Sequence, residues 1–149
     1  MHFKQKVYEH YRELLEDKIL SLQKVLDDLK ESGANETKST AGDKHETALA
    51  MVQIEQANKR AQMEQLLAQK AVLNKIDPSI QAIQVVNGSL VKTQQQYFFI
   101  SVALGKAIVG EKNIVALSAQ SPLGKILMGL KKGNTASFNQ THFLIEEIL

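Results

Sequence analysis

Two long runs free of helix breakers fill the first half of the chain, and their apolar spacing leaves few folds open. From Lys4 to Glu31 there is no Gly or Pro, and Leu15, Ile19, Leu22, Leu26 and Leu29 recur at alternating steps of four and three. That spacing predicts an α-helix with one apolar stripe, which Tyr8 and Tyr11 extend and Arg12 interrupts. At 1.5 Å per residue the segment makes a rod roughly 42 Å long, which cannot bury its stripe by itself. The second run, Lys44 to Ile76, carries Ala50, Ile54, Ala57, Ala61, Ala68 and Ala71 in the same alternation, with Glu64 as an interruption. These alanines are the expected seam against the first helix, with Leu49, Val52, Met63, Leu66 and Leu73 on its flank.

Between the runs, Ser32 to Gly42 is small and polar, and reads as a loop where an antiparallel hairpin turns back, with its tip near residues 32–46. Asp77-Pro78 stops the second helix, because proline lacks the amide a continuing helix uses and restricts the residue before it. The pattern then changes to short strands: Ile83–Val86, an Asn87-Gly88 hairpin turn, Ser89–Thr93 and the run Tyr97–Leu104, whose Ile100, Val102 and Leu104 mark one sheet face. Ile114–Leu117 predicts a further strand, Ser121–Leu127 a short helix, Lys132-Gly133-Asn134 a turn, and Thr135–Phe138 with His142–Ile148 a closing pair. The expected fold class is α+β, with a coiled-coil hairpin over residues 1–77 and a small antiparallel β domain with one short helix over 78–149.

Charge narrows the function. The net charge of the 149 residues is only +2, so the chain as a whole is not built to wrap nucleic acid by neutralising phosphates. Residues 1–77 hold 12 Lys/Arg and 13 Asp/Glu, and the remainder 6 and 3, so the carboxylates gather in the hairpin. The absence of cysteine removes disulfides, thiolate metal sites and thiol nucleophiles together. No stretch approaches the ~20 apolar residues of a membrane span and no signal-peptide core is evident. A soluble, cytoplasmic protein with no membrane partner is expected.

Two motifs carry a resemblance. Gly42-Asp43-Lys44-His45-Glu46-Thr47-Ala48 is similar to the tip signature Gly-Asp-x-x-Glu-Asn-Ala of the GreA/GreB transcription factors, with Thr47 in place of the asparagine. The stretch from Ser118 through Ser121-Pro122-Leu123-Gly124 to Gly129 and Gly133-Asn134 resembles the second-domain stretch of the same family, whose β domain is FKBP-like. The resemblance implies a factor that enters the secondary channel of RNA polymerase and stimulates cleavage of backtracked nascent RNA, without being an enzyme itself. Asp43 and Glu46 would then help hold a second Mg2+ shared with the polymerase and orient the attacking water. Ser118, Gln120, Ser121 and Pro122 would fall in the polymerase-docking loop, and Lys44, Lys59 and Arg60 could contact the RNA 3′ end. No tightly bound cofactor is implied, and a monomer is expected. Leu49 stands where many relatives carry a second glutamate, and together with Thr47 it keeps open a non-cleaving regulator or inhibitor of the polymerase. A coiled-coil interaction protein that shares only the architecture is a third reading.

The same residues have plainer readings. Asp43-x-x-Glu46 before an apolar-periodic helix is also a capping box, and a helix starting near Thr40 would place Asp43 in its first turn. Ser121-Pro122 is an ordinary helix opening, and Lys38, Lys44, Lys59 and Arg60 form a solvated face in many helices. His45 is read as a surface histidine, and His2, His10 and His142 are isolated in sequence. An FKBP-like domain invites prolyl isomerase activity, but the chain has no Trp and its aromatics are better placed as core. No catalytic triad pattern, phosphate-cradling loop or dinucleotide fingerprint supports another enzyme class.

Overall fold

The computed structural model describes residues 2–37 and 42–149, with side chains described for 2–35 and 46–149. The order is α1 (Phe3–Thr37), α2 (Gly42–Asn74), β1 (Leu90–Lys92), β2 (Tyr97–Ser101), β3 (Gly105–Val109), β4 (Lys112–Ser118), α3 (Pro122–Leu127), β5 (Thr135–Phe138), β6 (Thr141–Leu144) and β7 (Glu147–Ile148). The α+β class is as expected, with two long helices followed by a mostly antiparallel β region and one short helix. Two compact units form, Leu14–Gln69 and Met1–Glu13 with Lys70–Leu149. Among the described residues, no helix is long and apolar enough to cross a membrane.

The helical unit is an antiparallel pair. Gln56 Nε2 donates to the Leu29 carbonyl at 3.2 Å, and a Cβ built on Gly33 would lie 3.6 Å from both Val52 Cγ1 and Gln56 Nε2. The α1 seam is the expected one: Leu15 and Leu22 are buried and Ile19, Leu26 and Leu29 are half-buried. The α2 seam is not. Ala50, Ala57, Ala61 and Ala68 are exposed and Ile54 is 62% exposed, whereas Leu49, Val52, Gln56, Lys59, Met63 and Leu66, again in steps of three and four, are half-buried. Larger apolar side chains remove more surface from water than alanine methyls, at about 25 cal/mol per Å2, so this face turns inward although Gln56 and Lys59 interrupt it. The predicted loop is also shorter. Helix α1 continues through Ser32–Thr37 and α2 starts at Gly42, which leaves 38–41 of the expected tip region outside the described residues.

In the other unit a five-stranded sheet has the order β3-β4-β2-β1-β7, and β5 and β6 form a separate ribbon. Neighbours are antiparallel except β2 and β4, which run parallel with Phe99 opposite Ala116 and Ser101 opposite Ser118. One face of the sheet gives Phe98, Ile100 and Leu117 to a core with Leu127 of α3, Ala136 and Phe143. The opposite face receives the first turns of α1. The Tyr11 ring stacks on Phe99 at 6.1 Å, and its hydroxyl donates to the Gly105 carbonyl at 2.8 Å.

Several strand expectations are corrected. Ile83–Val86 makes a single bridge, Gln84 to Lys131, in place of a hairpin with β1; Val85 exchanges backbone bonds of 2.8 Å with Gly129 and Leu130. Asn87-Gly88 does turn the chain, with Gly88 at φ +94, but Ser89 Oγ accepts from the Val86 amide and closes the turn locally. Strand β2 ends at Ser101, so Ile100, Val102 and Leu104 do not share one strand face. Strand β3 was not expected from the sequence; it is an edge strand joined to β4 through Gly110 and Glu111, both at positive φ. His142–Ile148 divides, β6 pairing with β5 and β7 with β1.

Candidate functional site

The turning end of the hairpin is set by its register. Because Leu29 meets Gln56 and Gly33 meets Val52, the start of α2 lies beyond these layers toward the turn. Asp43, Lys44 and Glu46 all fall within the first five residues of α2. The helix includes Asp43, whereas a capping box would leave it at the non-helical position just outside. A helix start favours carboxylates because its free amides present partial positive charge. The side chains of Asp43 and Lys44 lie outside the described residues. Glu46 and Thr47 are exposed, and Leu49 is the first half-buried residue of the inward series.

The two basic candidates farther along α2 are separated by the helix itself. Lys59 occupies the seam, its ammonium 3.4 Å from Glu55 Oε1 and its side chain 27% exposed. Arg60 follows one step around the helix and is exposed. A lysine at a seam position covers apolar surface with its stem and carries its charge to the edge, so Lys59 and Arg60 leave the helix on different sides.

The docking-loop candidates are brought together tightly. Strand β4 ends at Ser118 and α3 begins at Pro122. Ser118 Oγ donates to Gln120 Oε1 at 2.6 Å and accepts from the Gln120 amide at 3.1 Å. Ser121 is the N-cap: its hydroxyl donates to the Ser118 carbonyl at 2.6 Å and accepts from the Gly124 amide at 3.1 Å. Pro122 takes the first helical position, where no amide is needed. The result is a self-bonded corner that presents Gln120 and Pro122 to solvent. Gly124, which the spacing alone did not single out, makes the corner possible. A Cβ there would fall 2.0 Å from the Ser118 carbonyl oxygen, and the signal for it was the glycine three residues after the capping serine.

The donor set bears on a metal. Asp43 and Glu46 offer carboxylate oxygens, the ligand type magnesium takes, but two carboxylates are fewer than a hard cation requires and would serve only as additions to a site supplied from elsewhere. Among the described residues no group of three or more His, Cys, Asp or Glu could hold a metal ion.

No family model matches the sequence, and no curated protein matches it significantly. Two solved structures align along most of the chain. One is the GreA factor homolog 1 (Gfh1) protein of Thermus thermophilus, 17% identical over 93% of this chain and 94% of that one, with a TM-score of 0.38. The other, a structure of the transcription factor Gfh1, is 16% identical over 99% of this chain and 94% of that one, with a TM-score of 0.34.

Proposed function

We propose that this chain is an RNA polymerase accessory factor of the Gre type, which inserts its helical hairpin into the secondary channel and stimulates cleavage of backtracked nascent RNA. The observation that carries the reading is the position of Asp43 and Glu46 in the first turns of α2, at the turning end of an antiparallel helix pair. The Gly42–Ala48 and Ser118–Asn134 resemblances support it. Asp43 and Glu46 lie three residues apart on a helix, which puts both on one side of the backbone. There they would add carboxylate oxygens to a site begun by the polymerase and orient a water toward the phosphodiester. A magnesium ion so held would stabilise charge on the attacking and leaving oxygens. The corner formed by Ser118, Gln120, Ser121 and Pro122 would dock on the polymerase. Lys44 and Arg60 would contact phosphates, which positions RNA without reading its sequence.

A non-cleaving regulator that occupies the same channel is the second reading. It is favoured by Leu49, whose half-buried place in the hairpin seam leaves no acidic group where many relatives carry one. Stalled, backtracked elongation complexes separate the two. Asp43→Ser and Glu46→Gln should each keep polymerase binding and lose transcript cleavage, while full cleavage by both variants removes the carboxylates from the mechanism. Cleavage absent in the unaltered protein, with binding intact, establishes the regulator. Failure to bind core polymerase at all rejects both readings.

A further inference from the structure

The geometry points to a binding site for a small amphipathic anion, one acidic head group on a compact apolar body, in the cavity beside Lys4. This site lies wholly within the β unit and is independent of the hairpin chemistry proposed above. The cavity measures about 350 Å3, toward the small end of the ~300–1,000 Å3 typical of ligand pockets. Its apolar lining includes Ile76, Ile80 and Val86, and its polar lining includes Lys4, Lys75, Asp77 and Ser89.

The head-group choice follows from the donors. Lys4 is only 7% exposed, and its ammonium donates to the Ile80 carbonyl at 2.7 Å. An ammonium has three N–H donors, so others remain to be directed at a guest. Burial lowers the basicity of Lys4 below its ordinary value, and Asp77 offsets this only in part. Asp77 Oδ1 is itself engaged by the Ser79 amide at 2.9 Å and the Ser79 hydroxyl at 2.6 Å. Lys75 adds a second positive group to the lining, and Ser89 Oγ, which accepts from the Val86 amide at 2.9 Å, retains a hydroxyl hydrogen to donate. Two cations and a hydroxyl against one carboxylate select an anion; the isoleucines and valine select a body that water does not hold.

Gly88 fits the same account. It adopts φ +94, and a Cβ there would sit 3.1 Å from Ile76 Cγ2, so the turn keeps its backbone close to the cavity wall without filling the space.

Three probes with one body and different heads test the site: benzoate, benzyl alcohol and benzylamine, titrated into the 149-residue chain and followed by amide chemical shifts. Benzoate should shift the Gly88 and Ser89 amides saturably with a Kd of about 1 mM, the range open to a fragment of this size. Benzyl alcohol should bind about tenfold more weakly, since it forfeits a charge-assisted hydrogen bond, and benzylamine should leave the amides unmoved. Lys4→Met should weaken benzoate about tenfold or more. Because Lys4 is buried and that variant could misfold, the exposed Lys75→Glu serves as its companion, with weakened benzoate binding and unchanged spectra elsewhere expected. Equal affinity for benzoate and benzyl alcohol, no saturable shift with benzoate, or benzoate affinity unchanged in Lys75→Glu overturns the assignment.

Discussion

Replacing Tyr11 with Phe gives a measurement whose sign changes with pH. The ring stays stacked on Phe99 in the variant, so the loss is confined to the hydroxyl, with its 2.8 Å bond to the Gly105 carbonyl and its longer 3.5 Å one to the Ile114 carbonyl. At pH 8 that loss should cost about 1 kcal/mol, the net worth of a neutral hydrogen bond. Burial pushes the Tyr11 phenol up from 10.0 to about 12, against a smaller lowering pull from the Ala116 backbone. A phenol that resists ionising when folded favours folding only while the unfolded phenol is protonated. The contribution is therefore complete below pH 10 and declines as pH rises from 10 toward 12. One pKa unit corresponds to about 1.36 kcal/mol, so the unaltered protein should lose about 1.4 kcal/mol through this residue by pH 11, with an upper bound of about 2.7 above pH 12. The variant lacks that loss, so a gap of about 1 kcal/mol at pH 8 should close or slightly reverse at pH 11. Urea unfolding followed through the methyl signals of Ile100 and Ile114 reads it, and taking the difference between the two proteins cancels the lysines that titrate nearby. A gap of the same size at both pH values refutes the account of Tyr11 as a buried, neutral donor.

Gly124→Ala should destabilise the β unit by about 2–4 kcal/mol, because the added methyl meets the Ser118 carbonyl and disturbs the Ser121 cap; thermal unfolding of the variant checks it, and a near-neutral effect contradicts the geometry of the corner. Lys59→Leu should stabilise the hairpin by about 1 kcal/mol, since it trades a partly exposed ion pair for apolar surface at the seam, visible as a higher midpoint in circular dichroism. Gln140→Gly should stabilise the β5–β6 ribbon by about 0.5–1 kcal/mol, because Gln140 holds φ +63, where side chains crowd the backbone; amide exchange at Phe138 and Thr141 should slow accordingly.

Much of this fold could be read from residues alone, and the failures share causes. The leucine stripe of α1 was legible because large apolar residues recur without a break. The α2 seam was misplaced by one to two positions, since alanines satisfy the spacing rule while contributing little buried area, and the true seam is disguised by Gln56 and Lys59. Ser32–Thr37 looked like a loop on composition, yet these residues continue α1 as far as Thr37. The β2–β4 pairing was out of reach because a parallel neighbour depends on the path of the chain between strands. Strand β3 was hidden by its place at the edge, where Lys106 and Ile108 face solvent and alternation is weak. Of the candidate site residues, the Ser121-Pro122 corner was the most legible because capping chemistry is local. The role of Gly124 emerged only when the strand end and the helix start were seen to touch.

The contact between Gln56 and the Leu29 carbonyl acts as an index mark for the two helices. Leucine pairs alone would tolerate sliding by a heptad, because one apolar side chain resembles the next. A carboxamide that must find one particular carbonyl does not tolerate such a slide. Movement by a single turn displaces a helix by about 5.4 Å, more than twice a magnesium–oxygen bond of ~2.1 Å. Whatever Asp43 and Glu46 meet, their reach is calibrated by the Gln56 amide further along the same helix.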